Sequence, residues 1–187
     1  MSALANTPAS PSAWSAGIKF FHWLVAALIL VQFVLGWLAA TWPLSPTKLN
    51  LFVWHKSIGM LVLALVTLRL VCRLATRAPA LPPDMPGWER VSAHASHVLL
   101  YVLMVAMPIS GWVVSSASGV PFKIFRQLPL PAIVAADKHA AELAALVHFL
   151  LGMAFAALLV VHIAAALRHH FVKRDGVLVR MLPARKS

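Results

Sequence analysis

Apolar residues along this chain gather into four long stretches, at residues 18–40, 51–72, 92–116 and 143–167, separated by short connections rich in proline and polar residues. Each stretch is near or above the roughly 20 residues that a helix needs to cross the hydrocarbon of a bilayer. The connections carry clear stops, because proline cannot continue a helix: Thr41-Trp42-Pro43-Leu44-Ser45-Pro46 closes the first stretch, and a run from Pro79 to Gly87 containing Pro82, Pro83 and Pro86 separates the second from the third. The longest connection, residues 117–140, holds Pro121, Pro129 and Pro131, which forbid a long helix there. Trp23, Trp37, Trp42, Trp54, Trp88 and Trp112 fall near the boundaries, where indole rings anchor at headgroup level. The pattern predicts an all-α membrane protein built as a four-transmembrane-helix bundle, with Pro108 kinking the third helix. No stretch is left for a soluble catalytic domain.

Composition agrees. With 61% hydrophobic and 11% charged residues and a mean hydropathy of +0.84, the chain has too few polar side chains to cover a soluble core. The net charge of +11 would suit nucleic acid, but its distribution does not. Eleven basic residues flank the N-terminus, the second connection and the C-terminus, and five (Lys48, Lys56, Lys123, Arg126 and Lys138) flank the other two connections. By the positive-inside rule this imbalance places both termini in the cytoplasm. The predicted organisation is a disordered tail (1–17), a four-helix domain (18–170) and a basic cytoplasmic tail (171–187). The lone cysteine, Cys72, supplies neither a disulfide nor a thiolate cluster.

Besides His94 and His97 at the start of the third span, four histidines lie inside the spans. His148 and His162 are 14 residues apart, roughly 21 Å of helix and about 40° short of four full turns, so both leave one face near opposite edges of the bilayer. Ionisable side chains in a membrane segment are costly and by default mark a functional site. Matching depth, His22 in the first span pairs with His162, and His55 in the returning second span pairs with His148.

Small residues accompany each pair. Gly59 and Gly152 follow His55 and His148 by four residues, Ala26 and Ala166 follow His22 and His162 likewise, and Gly36 lies 14 residues after His22. Positions four apart stack on one helix face, so these residues leave a flat, wide slot. A lone histidine could simply bond a neighbouring helix. Zinc wants four closed ligands, or three and water, which neither level offers in carboxylates or thiolates. Two imidazoles on opposite sides of a porphyrin need no further protein ligand, so two bis-histidine haems b account best for the two pairs. His94 and His97 share a face at the inner level and could replace a ligand, bond a haem propionate or a quinone oxygen, or be ordinary interfacial residues. His139, His169 and His170 read as solvated rim residues, and Gly36-Trp37 and Gly111-Trp112 as packing and belt residues.

Phe21-His22-Trp23-Leu24, Trp54-His55-Lys56-Ser57-Ile58-Gly59, Ala93-His94-Ala95-Ser96-His97 leading to Tyr101, and the run from Val161 through His162 to His169-His170 resemble the bacterial cytochrome b561 family. The likeness extends from about Ile18 to the C-terminus, including Gly176-Val177-Leu178-Val179-Arg180-Met181-Leu182-Pro183. It implies a multi-pass inner-membrane protein with two haems b ligated by His22, His162, His55 and His148. Family members of this size resemble superoxide oxidases, which pass electrons from superoxide outside the membrane to ubiquinone.

Superoxide is an anion, and Lys56, Lys123 and Arg126, with Lys48 and Lys138, would focus it toward an outer haem. Arg69, 14 residues after His55, is placed to pair a propionate of the inner haem, or to snorkel to lipid headgroups. The expected partners are the lipid bilayer, quinone, and superoxide or a redox partner protein, with no nucleic acid. Two other readings remain open: a haem-b relay subunit of a separate dehydrogenase, and a haem-free transporter or scaffold.

Overall fold

A computed structural model describes residues 13–80, 82 and 85–182. Its four helices are α1 (Ala16–Thr41), α2 (Pro46–Leu74), α3 (Gly87–Ala117) and α4 (Lys138–Arg168). Each runs past the apolar stretch that predicts it, and polar caps begin three of them, α3 starting instead behind Pro86 with no side-chain cap. Ser15 Oγ accepts from Ile18 N–H, Ser45 Oγ from Lys48 N–H with Pro46 in the first turn, and Asp137 from Ala140 N–H at 2.7 Å. α3 continues through Pro108 without a break. All four helices are long and apolar enough to cross a membrane.

The helices pack as two antiparallel hairpins, α1 on α2 and α3 on α4, joined along an α2–α3 seam; no comparable seam closes α4 onto α1 or α2. One buried cluster holds the bundle together: Val25, Ile29, Val62, Val66, Leu100, Met104 and Phe155. Phe155 is the one buried residue of α4 and packs on Phe33 with ring centroids 5.6 Å apart. Large apolar side chains such as Leu30, Trp37, Phe149 and Val160 point outward. In lipid that exposure is unpenalised, and helix association rests on packing of the few interior contacts.

At one end of the bundle, here called the loop end, the α3–α4 connection forms a feature absent from the all-α expectation. Strands β1 (Phe122–Ile124) and β2 (Leu128–Leu130) pair antiparallel, with Lys123 opposite Pro129. Three-residue strands are too short to carry a period-two signal, and a two-stranded ribbon is all edge, which tolerates Pro129. Three polar anchors tie this connection down: Ser57 Oγ accepts from Phe125 N–H, Ser116 Oγ accepts from Ile133 N–H, and Trp112 Nε1–H donates to the Pro131 carbonyl.

At the opposite, terminal end the basic segment folds back instead of trailing away. α4 passes into a π-turn (His169–Lys173), and Arg174 adopts a left-handed conformation. Asp175 pairs with His169 and accepts from Val177 N–H; burial pushes its carboxyl up, but these bonds outweigh it and hold it below the usual range. Met181 then accepts from Trp23 Nε1–H at 3.0 Å, and Arg180 accepts from Trp14 N–H. Trp14 stacks on Arg73, and α1 begins at Ala16, so residues 13–17 are ordered against the bundle. Residues 1–12 of the expected N-terminal tail and 183–187 of the basic tail lie outside the described residues. Glu89, buried at the start of α3, holds Arg168 at 3.1 Å and also Lys173, fastening the end of α4 to α3.

The interior contacts being few, one deletion tests them. Phe155→Ala should destabilise the bundle by roughly 3–5 kcal/mol, the usual range for emptying a buried phenylalanine site. Phe149→Ala on the outward face of the same helix, 61% exposed, should be nearly neutral. Reversible unfolding in mixed detergent micelles compares the two.

Candidate haem site

His22, on α1, and His162, on α4, face each other near the terminal end with ring centroids 6.5 Å apart. His55, on α2, and His148, on α4, do so near the loop end at 6.2 Å. The depth-matched pairs expected from the sequence are therefore brought together, both across the side of the bundle where α4 has no seam with α1 or α2. Metal–imidazole bonds of roughly 2 Å would let one ion reach a nitrogen of both rings across a gap of this size. Both pairs suit one metal between them. Among the described residues no group of three or more His, Cys, Asp or Glu side chains is placed to hold a bare ion. The donor set thus fits an iron whose other positions are filled by a macrocycle.

The loop-end pair is backed by glycine on both sides. A Cβ on Gly36 would lie 3.0 Å from His55 Cε1, and one on Gly111 would lie 3.2 Å from His148 Cε1. Side chains at either position would push the rings inward. Gly36 follows from helix periodicity, whereas Gly111 reads in the sequence as a packing residue; nothing in one chain's pattern reveals which histidine a glycine on another helix will meet. Gly59 and Gly152 differ from expectation. Their open sides face Gln32 Nε2 at 2.9 Å and Met107 Cε at 3.5 Å, so these neighbours occupy the space the glycines leave.

Ser110 was not legible as a site residue. Its hydroxyl donates to the Met107 carbonyl and lies 2.8 Å from His148 Nδ1. With its proton committed, the hydroxyl accepts from Nδ1–H, which leaves the Nε2 lone pair free for a metal. His55 has no such partner: its Nδ1 is buried and unpaired, as is Oε1 of Gln32, whose Nε2 donates to the His55 carbonyl at 2.8 Å. Unpaired buried polar atoms call for an explanation such as a ligand or an ordered water.

Three histidines meet at the terminal-end level. The His97 ring lies 5.5 Å from His162, closer than His22 does. Arg69 Nη2 lies 3.2 Å from His22 Nδ1, its guanidinium sits 5.2 Å from the Tyr101 ring centre, and its Nε is buried without a partner. A guanidinium only donates, so in this contact His22 carries its proton on Nε2. Ligation through Nε2 requires the other tautomer, and Arg69 must then release the ring and find an anionic acceptor. A haem propionate would meet that need. His94 stays apart, exposed, with Nδ1–H on the Arg90 carbonyl at 2.8 Å.

The loop-end cations divide by role. Arg126 bonds Asn50, Lys48 caps the end of α1 through the Ala40 and Trp42 carbonyls, and Lys138 pairs with Glu142. Lys123 is exposed on β1. Lys56 reaches across to Ser115 on α3.

Comparison with known proteins follows the same lines. The family model of prokaryotic cytochrome b561 matches residues 13–184. The chain is 34% identical over 183 residues to cytochrome b561 homolog 2 of Escherichia coli, covering 95% of this chain and 93% of that protein. It is 26% identical over 168 residues to cytochrome b561 homolog 1 of the same organism, covering 89% and 95%. It is also 28% identical over 166 residues to a protein of Yersinia pestis named probable superoxide oxidase CybB, covering 89% and 93%. The four apolar helices and these matches together establish that the chain belongs to the prokaryotic cytochrome b561 family of haem b-binding, multi-pass membrane electron-transfer proteins.

Proposed function

We propose that this protein is a di-haem b cytochrome of the inner membrane that takes electrons from superoxide on the extracytoplasmic side and delivers them to ubiquinone. The observation that carries the reading is the pair of facing histidine couples, His55 with His148 and His22 with His162, at two depths of one family-assigned bundle. Bound there, haem iron supplies reversible one-electron chemistry. The chain's own residues do the rest. Ser110 fixes the tautomer of His148, Gly36 and Gly111 give the rings room, and Arg69 is the donor for a propionate at the terminal-end level. His97 is the alternative partner of His162.

The basic imbalance between the two ends supports a cytoplasmic terminal end and an extracytoplasmic loop end. Superoxide as donor is supported by the name of the Yersinia relative and by Lys56, Lys123 and Arg126 around the loop end. Each superoxide anion gives up one electron and leaves as dioxygen. Two such electrons and two protons convert ubiquinone to ubiquinol.

Haem stoichiometry tests the ligand assignment. The wild type should carry two haems per chain, with His148→Ala and His162→Ala each lowering the content to one, measured as the pyridine haemochrome. His22→Ala should remove the same haem as His162→Ala; if His97→Ala does so and His22→Ala does not, the terminal-end ligands are His97 and His162.

Oriented vesicles test donor and sidedness together. Superoxide generated in the bulk should reduce the haems in right-side-out vesicles and not in inverted ones, and added ubiquinone should reoxidise them. The rate should fall with ionic strength, because exposed charges are screened over roughly 10 Å at 0.1 M salt. Lys123→Glu combined with Arg126→Glu should slow it about tenfold and flatten that dependence at unchanged haem content. Haems inert to superoxide but rapidly reduced by a partner dehydrogenase would replace this reading with the relay subunit.

A further inference from the structure

Lys56 follows His55 in the chain, but its side chain leaves α2 toward α3. Its Nζ lies 3.0 Å from Ser115 Oγ and 5.6 Å from the centre of the Phe122 ring. Ser115 is itself only 4% exposed. It stands one turn beyond Gly111, the residue in contact with the His148 ring, so the ammonium is set roughly 5 Å along the helix axis from that ring's backing residue. A hydroxyl and an aromatic face surround it, and among the described residues no carboxylate pairs with it. Of the four acidic residues described, Asp137 caps α4, Glu142 pairs with Lys138, and Glu89 and Asp175 are engaged at the terminal end.

The hairpin closes over this charge. Ser57, next in sequence and fully buried, accepts from Phe125 N–H at 2.8 Å, and Phe125 packs edge-on against Trp54. Phe125 and Arg126 have φ of 49° and 62°, left-handed values unusual for such residues, which persist only where surrounding contacts impose them. Among the described residues this ammonium has no counter-charge, and it is partly withdrawn from water, where a charge acts over longer range than on an open surface. A partly buried charge without a counter-charge lowers stability, and its presence beside the loop-end histidines calls for a function.

We propose that Lys56 is a positioning cation that raises the reduction potential of the haem held by His55 and His148. A fixed positive charge favours the state that has gained an electron, so this site would accept electrons more readily than the histidine pair alone allows. The proposal rests on the two-haem reading and is independent of which donor supplies the electrons.

Redox titration of the purified, haem-loaded protein, followed by its visible spectrum, tests it. Two components should titrate, one of them missing in His148→Ala. In Lys56→Met that component should move to lower potential, so that the ratio of reduced to oxidised haem at the wild-type midpoint falls about tenfold, while the other stays in place. The shift should persist at 1 M salt, where exposed charges are screened over roughly 3 Å. Lys56→Arg, which keeps the charge, should stay near wild type, and Lys123→Met, which removes an exposed one, should shift nothing. Lys56→Met should also melt no lower than wild type, since it removes an uncompensated charge. Full haem content with both components unmoved in Lys56→Met, or an equal shift in Lys123→Met, would overturn the role of Lys56. Absence of a component that depends on His148 would overturn the two-haem reading, and this inference with it.

Discussion

An imidazole inside a bilayer is tolerated only if its nitrogens are satisfied, and that constraint organises this bundle. Four histidines project into the space that the helices leave open between α4 and the α1–α2 hairpin. No carboxylate or thiolate joins them among the described residues, so an iron-bearing macrocycle is the group whose needs match theirs. The thin core follows from the same geometry. α4 buries a single residue, Phe155, placed seven residues from each of its two histidines, midway between the two proposed haem levels. Much of the apolar surface that α4 turns toward the rest of the bundle would be covered by cofactor rather than by side chains.

The two levels are built differently. At the loop end glycines on α1 and α3 bring backbone against each ring, and Ser110 sets one tautomer; the rings are held in readiness. At the terminal end three histidines and a guanidinium share the space, and the Arg69 contact fixes His22 in the tautomer opposite to the one that binds metal through Nε2. With His22 as a ligand, as proposed, filling that level requires Arg69 to change partners. In the proposed reading a propionate takes the guanidinium, which couples occupancy of the site to the position of one side chain on α2.

Much of this was legible in the sequence, for reasons that are local. Helix periodicity and depth counting need only one chain and a bilayer thickness, and they gave the four spans, the two histidine pairs and the face of Gly36. What stayed hidden depends on which helix neighbours which. Gly111 and Ser110 acquire meaning only when α3 is laid against α4, and Gly59 loses its expected role because Gln32 of α1 fills the space beside it. The β-hairpin was missed because its strands are three residues long. The fold-back of the basic tail could not be read from its sequence, because its order comes from distant partners, Trp14 and Trp23, and not from any pattern of its own.

The central claim is that one side of α4 holds two irons at two depths. Anomalous scattering at the iron edge from crystals of the haem-loaded protein measures this directly. The account predicts two iron peaks, one between His55 and His148 and the other on His162 together with His22 or His97, separated along the membrane normal by roughly the 21 Å that 14 helical residues span. A single peak, or an iron bound away from His148 and His162, would contradict it.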